Sequence, residues 1–197
     1  MNSRRAGIVT MSILLTASVY AGNPFLDAKN DQPVSANFRG VEWGEEIGQD
    51  NPFTARVITT RIAKMSWGAI FKIEFVDLKS RASRPRKIEP EYVIVTDDRI
   101  VLLNEEDNET AAKKISATEK PPEFEAGNIY GIIGGKFHHE EGSWTTTIER
   151  KGDECIYLAS HNSGHFKKVV WKKAVGLAEY SMGYGARADG FRLKRTK

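Results

Sequence analysis

The sequence contains a single cysteine, Cys155, in a chain of 197 residues. One thiol cannot form a disulfide within the chain, so the folded core has to be stable without a covalent cross-link. The three residues that follow it, Ile156-Tyr157-Leu158, are apolar, and this setting favours a buried, unreactive thiol. A disulfide to another chain is the alternative.

The sequence also lacks an excess of charge of either sign. It has 29 basic and 26 acidic residues, a net charge of +3. Two of the basic residues, Arg4 and Arg5, lie in the first 21 residues, which contain no acid, so the rest of the chain has 27 against 26, a net charge of +1. A nearly neutral chain has no general electrostatic attraction for nucleic acids or anionic membranes, and we expect no nucleic-acid partner.

The first 21 residues have the pattern of a secretory signal peptide. The basic start precedes a largely apolar run over residues 6–21 that ends in Val-Tyr-Ala, a sequence that a signal peptidase accepts. The run is shorter than the roughly 20 apolar residues of a spanning helix, and Thr and Ser interrupt it. We predict cleavage between Ala21 and Gly22, no transmembrane span after cleavage, and an exported protein that is periplasmic or secreted. An uncleaved membrane anchor is the alternative.

The rest of the chain divides by composition into an irregular N-terminal segment, residues 22–40, and a single β-rich domain, residues 41–197. Asn, Asp, Gly and Pro are frequent up to residue 52, and one short strand is predicted near Val41–Ile47. Farther along, Phe71, Ile73 and Phe75 alternate with Lys72 and Glu74. This period of two predicts a strand with one face in the core and the other in solvent.

Turn signals recur about every 8–12 residues toward the C-terminus, without a convincing βαβ unit. We therefore predict a mostly β fold, an antiparallel meander closing into a barrel-like or sandwich domain with at most one or two short helices. The one good helix candidate spans residues 110–120 and ends at Pro121-Pro122. A basic loop over residues 79–87 and an acidic loop over residues 104–109 are both predicted to be solvated.

Two of the four histidines flank a predicted turn. His161 and His165 enclose Asn162-Ser163-Gly164, which suits a three-residue hairpin loop with glycine in the left-handed position. Across such a hairpin two imidazoles lie about 5 Å apart and can share a metal, but zinc needs three or four protein ligands. His138 and His139 are adjacent on a strand, so only one of them can face the pair. The candidate metal ligands are His161, His165 and His138, while the spacing matches no metal motif. We predict ordinary hairpin-end histidines, with no metal and no cofactor.

Two further stretches resemble functional motifs, but the residues around them do not fit those motifs. Ser163 lies between histidines but lacks the flanking glycines of a nucleophile elbow, so we predict no catalytic residue there. Residues 183–188 match the loose dinucleotide pattern G-x-G-x-x-A, yet too few residues follow for the long helix which that motif requires. We predict that these residues form a glycine-rich loop between the last two strands.

Three hypotheses about function follow. The leading one is an exported, non-enzymatic β-rich protein that binds an unknown protein or envelope component. The second is a carrier that holds an apolar, lipid-like small molecule in a half-open β-barrel. The third, a metal-dependent or hydrolytic envelope enzyme, is least favoured because the sequence offers no convergent acid, base and nucleophile.

The export hypothesis predicts a defined N-terminus. N-terminal sequencing of the protein recovered from outside the cytoplasm should begin at Gly22, or within one or two residues of it, because the basic start, apolar run and Val-Tyr-Ala end all point to cleavage there. An exported protein that retains Met1 would contradict cleavage and would favour the membrane anchor.

Overall fold

The computed structural model describes residues 22–26, 32–81, 86–185 and 188–197. The predicted signal peptide, residues 1–21, lies outside the described residues. Within them the chain forms twelve β-strands, one α-helix and a short 3₁₀ turn. The strands are β1 (Val34–Gly44), β2 (Gly48–Met65), β3 (Gly68–Lys79), β4 (Glu91–Val95), β5 (Arg99–Leu103), β6 (Ile129–Ile132), β7 (Lys136–Glu141), β8 (Trp144–Lys151), β9 (Glu154–His161), β10 (Phe166–Lys172), β11 (Gly176–Tyr184) and β12 (Asp189–Arg195); the helix is α1 (Asn108–Ser116) and the 3₁₀ turn is Ala126–Asn128.

The strands form one antiparallel sheet in the order β6-β5-β4-β3-β2-β1-β12-β11-β10-β9-β8-β7. Strands β1 to β6 form one six-stranded meander and β7 to β12 a second, and the pairing of β1 with β12 joins them into one sheet. The sheet curls until it is nearly closed into a barrel. The predicted fold class, a mostly β antiparallel meander with a barrel-like shape and a short helix, is confirmed.

Register shifts in four of the strand pairings lie along the curved sheet, one of them between Val170 and Trp171 of β10. Such bulges bend a strand and increase its twist, which is what closure of a sheet requires. The two edge strands, β6 and β7, follow each other in the chain, and β6 lies against β8 and β9. Side chains of the second meander bond to β6 and the residue after it: the Trp171 indole of β10 donates to the Tyr130 carbonyl at 2.9 Å, and Arg150 of β8 donates to the Ile133 carbonyl at 3.2 Å.

The barrel interior is filled by alternate residues of the strands. Phe71, Ile73 and Phe75 are buried in it, whereas Lys72 and Glu74 lie on the outer face and pair at 3.0 Å, so the predicted alternation of β3 is confirmed. Aromatic rings occupy the middle of the barrel in edge-on and tilted contacts, as quadrupolar rings prefer. The rings are Phe53, Phe75, Tyr130, Tyr157, Trp171, Tyr180 and Phe191.

Irregular segments plug both ends of the barrel. At one end, here called the Phe25 end, residues 22–26 bury Phe25 and Leu26, and the Asn23 amide donates to the Thr96 carbonyl at 3.0 Å. At the other, here called the His161 end, residues 86–90 cross the opening and bury Ile88. Residues 22–26 follow the predicted cleavage site directly, so a cleaved chain would retain this plug.

Helix α1 covers part of the outside of the barrel. Asp107 caps its N-terminus by accepting from the Thr110 amide at 3.0 Å, and the buried Ala112 faces the outer surface of β2–β5. A second apolar cluster fills this layer, and its members are Met65, Ile70, Tyr92, Ile94, Val101 and Leu103. The helix begins two residues before the predicted one and ends four residues earlier.

Two predictions of local structure need correction. β1 begins at Val34, whereas the irregular segment was predicted to extend to residue 40, because Asn, Arg and Gly in this stretch obscure a strand that pairs with β12 at the far end of the chain. The basic loop over 79–87 was predicted to be solvated, but Arg86 is largely buried. Among the described residues, no helix is long and apolar enough to cross a membrane.

Candidate functional site

The histidine turn has the predicted geometry. The His161 amide donates to the His165 carbonyl at 2.8 Å, and the Gly164 amide donates to the His161 carbonyl at 2.9 Å. Gly164 has φ of +86°, the left-handed conformation that glycine adopts without penalty. The two imidazole rings lie 6.0 Å apart, and the Ser163 hydroxyl lies 2.7 Å from Nδ1 of His161 and 3.0 Å from Nδ1 of His165. The predicted three-residue hairpin loop is confirmed.

The structure does not bring the third candidate ligand, His138, to this pair. His139 of β7 lies opposite Thr146, on the inward face that His161 shares, whereas His138 faces outward and contacts Glu140 at 3.2 Å. Within the described ranges, no group of three or more His, Cys, Asp or Glu side chains is placed to hold a metal ion. The turn therefore presents two adjacent imidazoles and a hydroxyl.

The single cysteine is inside the barrel. Cys155 is fully buried, and its sulfur accepts from the Ile132 amide at 3.4 Å. Burial raises the pKa of the thiol, because a thiolate would lose its solvation there. The thiol is buried, as predicted, and lies between β9 and the edge strand β6.

Aromatic rings extend outward from the histidine turn. The ring of His161 lies 5.1 Å from that of Trp144, and the ring of His165 lies 5.8 Å from that of Tyr184. Trp144 is 43% exposed and Tyr184 46%. The four side chains form a half-exposed row of rings at the mouth of the His161 end.

A buried carboxylate lies deeper at the same end. Glu91, at the start of β4, is 9% exposed. It accepts hydrogen bonds from the hydroxyls of Tyr130 at 2.9 Å and Tyr180 at 2.8 Å, and from the Lys167 ammonium. The ammonium also lies 4.8 Å from the centre of the Tyr130 ring. These four side chains are here called the Glu91 cluster.

The Glu91 cluster favours protonated phenols. Burial raises the pKa of Tyr130 and of Tyr180 well above its usual value, and the negative charge of Glu91 raises both further because it would repel a phenolate. Both hydroxyls therefore serve as donors to the carboxylate.

The charged groups next to the Glu91 cluster are also paired. Arg86 donates to Asp189 at 2.8 Å and to the fully buried Glu42 at 3.4 Å, and its guanidinium lies 5.4 Å from the centre of the Phe191 ring. A cavity of about 360 Å³ opens beside these groups. A ligand in it would meet charges that already neutralise one another.

The Phe25 end has a cavity of different chemistry, here called the Phe25 pocket. Its volume is about 310 Å³, and its apolar lining comes mainly from Phe25, Leu26, Val34, Ala36, Phe38, Val57, Phe71, Val175 and Leu177. Two arginines also line it, Arg61 from β2 and Arg195 from β12, while no aspartate or glutamate is among its described lining residues. Val34 and Val175 are 44% and 36% exposed at its rim.

Sequence reasoning identified Phe71 of the Phe25 pocket as inward-facing, but it did not single out the other residues of this pocket or those of the Glu91 cluster. A signal for Arg195 was present: it lies two residues after Leu193 and four after Phe191, both buried, so the alternation of β12 places it on the inward face. No comparable signal marks Glu91, because a charged residue at the start of a strand is usually solvated.

Comparison with known proteins adds no assignment: no protein-family model matches the chain, and searches of curated proteins and of solved structures gave no significant match.

The turn geometry predicts an order of mutational effects. Gly164→Val should cost about 1–2 kcal/mol or more, because a β-branched residue is strained in the left-handed region and the register of β9 and β10 depends on this turn. Replacement of both His161 and His165 by Gln should stay within about 0.5 kcal/mol, as surface changes usually do. Denaturant titration of the two variants measures both effects.

Zinc provides the control for that prediction. It should leave the melting temperature of the unmutated protein unchanged, because only a metal held by the native state stabilises it. A double histidine variant less stable than Gly164→Val, or a zinc-dependent rise in melting temperature that this variant loses, would contradict the turn interpretation and favour a metal site.

The Glu91 cluster predicts a loss of stability in alkali. Above about pH 10 tyrosines of the unfolded chain lose their protons while Tyr130 and Tyr180 keep theirs in the folded state. The unfolded state then binds fewer protons, so the free energy of unfolding falls as pH rises, by up to about 1.4 kcal/mol per pH unit for each such tyrosine. Tyr180→Phe should make this decline shallower in denaturant titrations between pH 9 and 11.5. An identical slope in the variant would show that Tyr180 does not titrate in this way.

Proposed function

We propose that this is an exported, non-enzymatic binding protein that holds a small, largely apolar molecule in the Phe25 pocket. The observation that carries the proposal is the pocket itself: a cavity of about 310 Å³ with a mainly apolar lining, in a barrel whose middle is filled by aromatic side chains. Binding sites for small molecules have volumes of about 300–1,000 Å³ and mostly apolar walls with a few polar groups. The Phe25 pocket meets both conditions at the lower limit of volume.

Because side chains fill the middle of the barrel, the carrier hypothesis has to place its ligand at one end. We do not place a molecule along the barrel axis, because the large side chains of Trp171, Tyr130 and Phe53 are fully buried in the core there. It would instead enter from the Phe25 end, between the exposed rim residues Val34 and Val175, and rest on Phe38 and Phe71. Exposed apolar side chains at a rim are a feature of binding sites.

The cavity at the His161 end supports this function less well. Its charged side chains, among them Glu91 with Lys167 and Arg86 with Asp189, are bonded to each other. A ligand would have to replace these bonds, and separating a buried ion pair costs several kcal/mol.

Binding of decanol by isothermal titration calorimetry tests the proposal. The unmutated protein should bind one molecule, and Ala36→Phe should weaken the affinity by about tenfold or more, because the new ring occupies much of the pocket. Ala117→Phe, the same change at an exposed position after α1, is the matched control and should bind normally. Absence of decanol binding to the unmutated protein, or equal binding by both variants, would contradict the proposal.

A partner-binding role is the second candidate function, favoured by the half-exposed row of Trp144, His161, His165 and Tyr184. Large aromatic side chains at a surface are frequent anchors of protein interfaces. If this row is the binding surface, native mass spectrometry should show a bound component that Ala36→Phe retains and that the paired change Trp144→Ala and Tyr184→Ala loses.

A further inference from the structure

We infer that the outer edge of β7 is a self-association surface, at which this strand pairs with the β7 strand of a second copy of the chain across a two-fold axis. The strand is short, Lys136–Glu141, and it is the last strand of the sheet order. The inference does not depend on the Phe25 pocket, whose described lining comes from other elements.

The backbone of β7 is open on the side away from β8. Within the described ranges, β7 pairs with β8 alone, since the opposite edge strand, β6, lies mainly against β8 and β9. Such an edge presents N–H and C=O groups that another extended strand can bond. The outward side chains are also accessible: Lys136 is exposed, and the side chains of His138 and Glu140 are 60% and 70% exposed.

The inward face of β7 is partly occupied by its own chain. Phe137 packs against the barrel core, and Gly127 of the 3₁₀ turn lies beside the side chains of His139 and Glu141. These contacts lie on one face of the strand and are made by side chains. The outward side chains therefore decide which pairing is favoured.

The charges along the outward face are self-complementary in one arrangement. They run from basic Lys136 through His138 to acidic Glu140. Two antiparallel copies with the two-fold axis at His138 place Lys136 of each copy opposite Glu140 of the other, on the same face of the continued sheet. Moving the axis to Phe137 or His139 loses both of these ion pairs.

Other pairings of this edge are less favourable. Parallel pairing in register places each charged side chain opposite its own copy, and like charges directly opposite each other are destabilising. Charged residues on an edge strand usually hinder pairing with other chains. On β7 they hinder most pairings and favour the antiparallel one with a second copy, so the chain itself is the partner that the pattern fits.

The contact is small, so we expect a weak, reversible dimer. The pairing spans residues 136–140, much less than the roughly 1,600 Å² of a standard stable interface. A dissociation constant on the order of 10–100 µM is expected, and the dimer should form as the protein concentration rises through this range.

Sedimentation velocity between about 5 and 500 µM tests the inference. The unmutated protein should change from monomer to dimer over this range. Glu140→Lys and Lys136→Glu should each weaken dimerisation by about tenfold or more, because each places like charges opposite one another. The double variant Lys136→Glu/Glu140→Lys should restore the dimer, and so should a mixture of the two single variants. Glu141→Lys, the same charge change on the inward face of the same strand, is the matched control and should dimerise normally.

Three results would overturn the inference. They are a monomer at every concentration, a dimer that neither single variant weakens, and equal weakening by Glu141→Lys and Glu140→Lys. Recovery of the dimer in the mixture shows that both single variants are folded, so their loss of dimer is due to charge. Decanol binding is measured separately on the monomer, so failure of one proposal leaves the other standing.

Discussion

The buried carboxylate of Glu91 is the constraint on which the closed shape of this sheet depends. A carboxylate that is 9% exposed needs hydrogen-bond donors, and Glu91 obtains them from Tyr130 of β6, Lys167 of β10 and Tyr180 of β11. These strands belong to both six-stranded halves, so the donors reach Glu91 only when the sheet is curled. The edge strands β6 and β7 are not paired by a backbone ladder, and breaking a buried ion pair by removing one partner costs about 3–5 kcal/mol. The hydrogen bonds and the ion pair of Glu91 thus stabilise the curled sheet. In a fully closed barrel, backbone hydrogen bonds between the two edge strands would have this role.

A core closed in this way divides the molecule into two ends of unlike chemistry. Aromatic side chains occupy the middle of the barrel, and each end has its own cavity with a different lining. At the His161 end the charges of Glu91, Lys167, Arg86 and Asp189 are paired within the protein, which stabilises the fold but offers little to a ligand. At the Phe25 end the described lining of the pocket is mainly apolar, with Arg61, Arg195, Thr59 and Gln32 as its polar members. This difference in lining is why we propose the Phe25 end, rather than the His161 end, for an apolar ligand.

The sequence predicts local features of this fold better than distant ones. Alternation identified β3, and Asn162-Ser163-Gly164 identified the hairpin of β9 and β10, because each signal depends on residues close together in the chain. The start of β1 was placed too late, since that strand pairs with β12, which is about 150 residues away. Arg86 stands in a run of basic residues typical of a solvated loop, and only the folded chain brings Glu42 and Asp189 to it. In both cases, contacts with residues far away in the chain determine the local structure, and the local composition does not reveal those contacts.

The same distinction explains why the residues most conspicuous in the sequence are not those that shape the pockets. His161, His165 and Ser163 attract attention because of their chemistry, yet the structure places them in a surface turn where they bond to each other. Arg195 looks like an ordinary surface residue, but the parity of β12 places it inside with Leu193. A polar residue that continues the inward positions of an apolar strand has to find a partner or a ligand, since burial without one is costly. In this barrel, therefore, the alternation of inward and outward positions along a strand identifies a charged residue that lines a cavity, Arg195, which its residue type alone does not.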